Sequence, residues 1–206
     1  MALRFVTFSQ GELLGDPRFP EAHAGVCFAA ADFWLESIQT DPGCSAAERI
    51  DDLRRMSSLI ATRQTIAKQS ADDARAEARS GDAGDGRTWR QRTMRRAGLY
   101  YDEEPTEVML RPGSARARPV DVQICQILID NPGGVMMSLA MAGGGRHAIA
   151  GYRHGANTFH FFDPNYGEGV ADSAFDLHAG VQHLVLGALH NFYRNVTAVR
   201  PLPRNL

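Results

Sequence analysis

The amino-acid sequence predicts a fold of the α+β class, with helices concentrated in the first half and an antiparallel sheet in the second half. The main helical signal is CFAAADFWLESIQ at 27–39, where apolar side chains recur at spacings of three and four. The main strand signal is a series of apolar runs at 135–142, 146–153 and 157–162, separated by glycine-containing breaks. Because short loops join these runs, consecutive strands are expected to pair antiparallel.

The remaining elements follow from the same patterns. A short strand at 3–8 opens the chain, and a long helical stretch covers 45–80. The polar end of that stretch and the linker GDAGDG predict a flexible helical insertion at about 67–98, within a single domain that spans 1–206. The segment 100–118 is expected to be irregular. The other predicted elements are a basic helix at 88–97, an apolar helix at 120–130, a late helix at 173–193 and a final strand at 195–202.

Composition argues against several classes of function. The chain has 206 residues and a net charge of −2, so no global basic field favours a nucleic-acid partner. No apolar run is long enough to predict a membrane span, and the start of the chain lacks the apolar stretch of a secretory signal. The three cysteines are too few, and odd in number, for a disulfide framework, which leaves room for a functional thiol.

The stretch HFFDPNYGE places an acid, Asp163, where an apolar strand gives way to a turn. A three-residue loop at 154–156 would put Arg153 opposite Asn157, and the same register puts His147 directly opposite Asp163. Directly opposed side chains share one face of a sheet, with Cβ atoms about 4.5–5.5 Å apart. The register therefore predicts a hydrogen bond between the imidazole and the carboxylate.

Cys27 is the candidate nucleophile, because it is predicted to begin a helix directly after Gly25 and Val26. The N–H groups and the positive dipole end at a helix start stabilise a thiolate, and a neighbouring histidine strengthens that effect. The backbone N–H of Cys27 is also a candidate oxyanion donor. Cys44 competes for the same role near another helix start, but it lies close to a turn and has no apolar helix behind it. Cys125, inside VQICQILI, is expected to be a packing residue.

Each candidate residue also has a purely structural interpretation, since a cysteine on an apolar helix and a histidine on a strand are usually packing residues. A metal site built from His147, His154, His160 and Asp163 is a further alternative. However, His160 lies three residues from Asp163 and so points to the opposite face of its strand. We therefore expect a cysteine–histidine–aspartate site with no metal ion and no cofactor.

Two blocks of the sequence resemble a known family. GVCFAAADFWL and GGGRHAIAGYRHGANTFHFFDPNYGE resemble the YopT-type cysteine proteases, papain-like effectors that bacteria inject into host cells, a group that includes the plant-pathogen effector AvrPphB. The resemblance implies a papain-like fold, with a helical lobe packed against an antiparallel sheet and the active site between them. It also implies Cys27 as nucleophile, His147 as general base and then acid, and Asp163 as the orienting acid. Papain-like enzymes add a side-chain oxyanion donor before the cysteine, and His23 or Gln10 are the candidates here, with the Cys27 backbone N–H alone as the alternative.

The function expected from this resemblance is that of a cysteine protease that acts on a protein of a host or rival cell. Other reactions fit the same three residues: deamidation, transglutamination, or hydrolysis of a cell-wall amide. A binding protein that retains the fold without activity is a further alternative. We expect secretion by a non-classical bacterial route, action in the target-cell cytoplasm, and a secretion chaperone or an immunity protein as a further partner.

Overall fold

A computed structural model describes residues 3–14, 26–80, 106–108, 119–141, 144–186 and 193–200. Both helices and strands occur along the chain, in an α+β arrangement. The helices are α1 (Gly11–Leu14), α2 (Cys27–Thr40), α3 (Ala46–Arg55), α4 (Ser57–Ser80), α5 (Val120–Asp130) and α6 (Ala174–Leu186). The strands are β1 (Arg4–Thr7), β2 (Thr106–Val108), β3 (Gly133–Met141), β4 (Arg146–His154), β5 (Thr158–Asp163), β6 (Gly167–Ala171) and β7 (Tyr193–Arg200).

The strands form one seven-stranded sheet in the order β1-β6-β5-β4-β3-β7-β2, and all neighbouring strands pair antiparallel. The central strands β3 to β6 follow one another directly in sequence and in space, which short hairpin connections allow. The first strand of the chain pairs with β6 at one edge of the sheet. The predicted antiparallel sheet is therefore present.

Helices cover both faces of the sheet. Because side chains alternate along a strand, Met136 faces one layer of helices while its neighbours Val135 and Met137 face the other. The first layer contains α2, α3 and α4, and its buried side chains include Trp34, Leu35, Ile38, Ile50, Leu53 and Ile60. The second layer contains α5 and α6, with Ile124, Leu128, Leu177 and Val181 buried. Burial on both faces explains why β3 reads as a continuous apolar run.

The helical stretch predicted at 45–80 forms two helices. Ser45 and Glu48 build a reciprocal capping box at the start of α3. Met56 then adopts φ −91° and ψ 16°, outside the α-helical geometry, and separates α3 from α4. The Ile60 N–H still bonds the Met56 carbonyl at 3.0 Å, so the interruption is short.

Two strands were not expected from the sequence. β6 has the sequence GEGVA, whose glycines have low strand propensity. It forms because it pairs with β1 on one side and with β5 on the other. Glycine is required at position 169, because a Cβ there would lie 2.1 Å from the Phe161 ring. β2 lies inside the segment 100–118, which was predicted to be irregular.

Part of the expected organisation falls on residues that the structure does not describe. The predicted insertion at about 67–98 begins within α4, which is described as far as Ser80. The rest of that insertion and the basic helix at 88–97 lie outside the described residues. Among the helices that are described, none is both long and apolar enough to cross a membrane.

Candidate active site

Cys27 is the first residue of α2, as the sequence predicted. Its helix packs its apolar face against the sheet through Trp34, Leu35 and Ile38, all of them buried. The side chain of the N-cap residue, Val26, is apolar and accepts no hydrogen bond from the free N–H groups of the first turn. The thiol therefore lies where backbone N–H groups and the positive end of the helix dipole favour a negative charge.

His147 and Asp163 are in contact, and both are buried. His147 Nε2 lies 2.8 Å from Asp163 Oδ1. The same carboxylate oxygen accepts the backbone N–H of Asn165 at 2.9 Å, and the Tyr166 N–H donates to the Asp163 carbonyl. Asp163 thus both begins a turn and bonds an imidazole, which are the two roles that its position at the end of β5 suggested.

The register that brings His147 and Asp163 together differs from the predicted one. His154 pairs with Thr158, so the hairpin loop is 155–157 and not 154–156. The shift moves every partner on β5 by two residues, and His147 is not directly opposite Asp163. A two-residue shift keeps side chains on the same face, whereas a one-residue slip would have moved them to opposite faces. The loop residue Gly155 adopts φ +63°, a conformation that glycine accommodates more readily than other residues.

The Cys27 sulfur is hydrogen-bonded to His147 and accepts a hydrogen bond from the backbone N–H of Ala148. Burial raises the pKa of Cys27, and so does the charge of Asp163. The two hydrogen bonds and the positive charge of the imidazolium outweigh them, so the pKa of this thiol lies below its ordinary value. Burial alone would lower the pKa of His147, but its contacts with Asp163 and Cys27 raise it to about 10. The two shifts have opposite sign, which favours a thiolate–imidazolium ion pair.

The other two cysteines have raised pKa values, whereas the pKa of Cys27 is lowered. Slight burial and the neighbouring Glu48 carboxylate raise the pKa of Cys44. Deep burial and the charge of Asp121 raise the pKa of Cys125 to about 12. Both remain thiols at neutral pH, so Cys27 is the cysteine whose surroundings favour the nucleophilic form.

Of the two candidate side-chain oxyanion donors, Gln10 is described and His23 lies outside the described residues. The Gln10 side chain accepts the backbone N–H of Val26 at 3.0 Å through Oε1. Its Nε2 donates to Asn165 Oδ1 at 2.5 Å. Asn165 in turn places its Nδ2 3.4 Å from His147 Nε2. Gln10 is therefore beside the candidate site, with both atoms of its amide in hydrogen bonds.

A second group of polar residues, which joins α2 and α3 to the sheet, was missed by the sequence reasoning. Glu168 is fully buried and bonds Arg49 through both oxygens, at 2.5 and 3.1 Å. The same carboxylate accepts Trp34 Nε1 at 2.7 Å and contacts His160 Nδ1 at 3.0 Å. These contacts tie α2 and α3 to β5 and β6. A signal was present in the sequence, because Glu168 occupies a strand of small apolar residues where an unpaired charge would be costly.

No cluster of three or more histidine, cysteine, aspartate or glutamate side chains is placed to hold a metal ion among the described residues. The residues that the alternative metal site would use diverge. His160 bonds Glu168 on one side of β5, while Asp163 bonds His147. The chemistry that the arrangement offers is therefore nucleophilic attack by a thiolate assisted by an imidazole.

Comparisons with known proteins identify the family and the fold. Residues 9–185 match the model of the family Peptidase_C58, described as Yersinia/Haemophilus virulence surface antigen. The chain is also similar to the crystal structure of the Pseudomonas avirulence protein AvrPphB, with a TM-score of 0.60 and 21% sequence identity. That match covers 97% of this chain and 95% of the other. A search of curated proteins gave no significant match. The structural match confirms the predicted papain-like α+β fold.

Proposed function

The chain belongs to the Peptidase_C58 family and is a cysteine peptidase of the virulence-effector class, and we propose that Cys27, His147 and Asp163 are its catalytic residues. The observation that carries this proposal is the buried His147–Asp163 hydrogen bond of 2.8 Å, with Cys27 at the start of α2 as the further partner of the imidazole. The lowered pKa of Cys27 and the raised pKa of His147 support it. A cysteine that only packs in the core would not have a lowered pKa, as Cys125 illustrates, because burial raises its pKa to about 12.

The proposed reaction is amide hydrolysis in two acyl-transfer steps. The Cys27 thiolate attacks the carbonyl carbon of the scissile amide, and a C–S bond forms as the carbonyl oxygen becomes an oxyanion. The His147 imidazolium then gives its proton to the leaving amine as the C–N bond breaks. In the second step neutral His147 takes a proton from water, and the resulting hydroxide attacks the thioester. The acid product leaves and the thiolate is restored.

Asp163 supports both steps by fixing the imidazole. With His147 Nε2 bonded to Asp163 Oδ1 at 2.8 Å, the other ring nitrogen is left to exchange its proton with the sulfur and the leaving group. The buried carboxylate also stabilises the positive ring. Charge-assisted hydrogen bonds of this kind are about twice as strong as neutral ones.

The backbone N–H of Cys27 is the proposed oxyanion donor. It belongs to the first turn of α2, where N–H groups have no acceptor within the helix. A donor that is part of the nucleophile's own residue stays in register with the sulfur as the tetrahedral intermediate forms. Among the described residues, Gln10 is the other candidate donor, although one of its amide hydrogens is used by Asn165.

The proposed substrate is a protein of a host or rival cell, cleaved in the cytoplasm of that cell after the enzyme leaves its producer by a non-classical route. The mechanism uses no cofactor. A secretion chaperone or an immunity protein is the further partner that we propose.

The test is a comparison of new protein N-termini in target cells that express the wild type, the Cys27→Ala variant or the Cys44→Ala variant. We expect new N-termini with the wild type and with Cys44→Ala, and none with Cys27→Ala. Conversion of side-chain amides to acids or cross-links, without new N-termini, would instead identify a deamidase or transglutaminase. Equal cleavage by the wild type and Cys27→Ala would refute the assignment of the nucleophile.

A further inference from the structure

Gln10 joins two parts of the candidate site that are distant in sequence. Its backbone N–H bonds the Pro164 carbonyl at 2.6 Å, and its Nε2 bonds Asn165 Oδ1 at 2.5 Å. Its Oε1 accepts the N–H of Val26, the residue before Cys27, at 3.0 Å. One residue therefore bonds both the turn after Asp163 and the N-cap of the cysteine helix.

The two ends of this bridge contact the catalytic residues directly. Asn165 donates its backbone N–H to Asp163 and places its side-chain amide 3.4 Å from His147 Nε2. Val26 accepts the Ala30 N–H through its carbonyl and so defines where α2 begins. A displacement at either end would change the distance between the Cys27 sulfur and the imidazole.

We propose that Gln10 is a positioning residue that sets the separation of Cys27 and His147 by holding Val26 and Asn165 at fixed positions. This inference rests on the proposed function of Cys27 and His147. Gln10 does not contact the substrate in this role. Its effect is to keep the imidazole within hydrogen-bonding reach of the thiolate before substrate arrives, so that the ion pair is preorganised.

Positioning and oxyanion donation by Gln10 predict different results. Loss of an oxyanion donor slows hydrolysis but leaves the thiolate of the free enzyme unchanged. Loss of the bridge changes the contact between Cys27 and His147 and so changes the pH at which the thiolate forms. The pH dependence of Cys27 alkylation separates the two, and it needs no knowledge of the substrate.

The variants are Gln10→Ala, Gln10→Met, Asn165→Ala and the double variant Gln10→Met/Asn165→Ala. Methionine keeps the length and bulk of glutamine but offers neither an N–H donor nor an amide oxygen. Gln126→Ala is the matched control, because the Gln126 side chain bonds Asp130 within α5, at an exposed position. Alkylation of residue 27 by iodoacetamide is followed from acidic to alkaline pH by peptide mass spectrometry, with thermal unfolding measured in parallel.

We expect both Gln10 variants to alkylate about tenfold more slowly than the wild type at mildly acidic pH, with the acid limb of the profile moved to higher pH. Gln126→Ala should keep the wild-type profile. The double variant should be no slower than Asn165→Ala, because both changes break the same bridge. A wild-type profile for Gln10→Met, or additive losses in the double variant, would overturn the proposal. A wild-type Cys27 that reacts like an ordinary thiol would instead contradict the proposed function.

Discussion

Replacing Asp163 by asparagine tests the ion pair most directly. The substitution keeps the shape of the side chain but removes the negative charge 2.8 Å from His147 Nε2. A hydrogen bond to a charged group contributes about 1.5–3 kcal/mol to the ionised state. Since 1.36 kcal/mol corresponds to a factor of ten, the population of the thiolate–imidazolium pair should fall by about 10- to 150-fold.

The measurement is the rate of Cys27 alkylation at mildly acidic pH, where an ordinary thiol is almost wholly protonated. We expect Cys27 of the Asp163→Asn variant to be alkylated much more slowly than Cys27 of the wild type. We also expect the pKa of His147 in this variant to fall below about 10. Asp130→Asn is the control, because Asp130 ends α5, on the opposite side of the sheet from α2. If Asp163→Asn alkylated as fast as the wild type, the carboxylate would not stabilise the ion pair, and the proposed role of Asp163 would be wrong.

Three further predictions follow from the geometry. Hydrolysis should be lost as pH falls through the lowered pKa of Cys27, because the thiolate is then protonated. It should be lost again as pH rises through about 10, because His147 then no longer holds the proton that the leaving amine needs. A pH–rate profile measures both limbs. Arg49→Met should lower the free energy of unfolding by about 3–5 kcal/mol, because it removes the guanidinium that neutralises the buried Glu168 carboxylate. The double variant Arg49→Met/Glu168→Leu should lose less in urea denaturation. Gly167→Ala should destabilise by more than the ~1 kcal/mol expected for Gly155→Ala, since both glycines have positive φ but only at Gly167 would a Cβ collide with a backbone carbonyl, at 2.0 Å.

The candidate site could be predicted from sequence because its three side chains lie in strong local patterns. Cys27 begins an apolar helix, His147 follows a run of glycines, and Asp163 ends an aromatic strand. The predicted hairpin register was wrong by two residues, since loop composition alone does not distinguish a loop at 154–156 from one at 155–157. The predicted face of each side chain was still correct, because side-chain direction along a strand repeats every two residues.

What the sequence could not supply were contacts made between residues far apart in the chain. The Gln10–Asn165 hydrogen bond spans 155 positions and the Arg49–Glu168 pair spans 119, and neither leaves a local periodicity. β6 was missed for a related reason, because its two neighbours in the sheet impose an extended backbone that glycine-rich sequence does not favour by itself.

The proposed role of Gln10 and the distance in sequence between Cys27 and His147 together imply that the reactivity of Cys27 depends on the completed fold. The helix that carries the sulfur is synthesised before the two strands that carry the imidazole and the carboxylate. Until β4 and β5 are folded and His147 contacts Cys27, the thiol has ordinary reactivity. Under the proposed mechanism, folding is therefore the step that makes Cys27 a nucleophile.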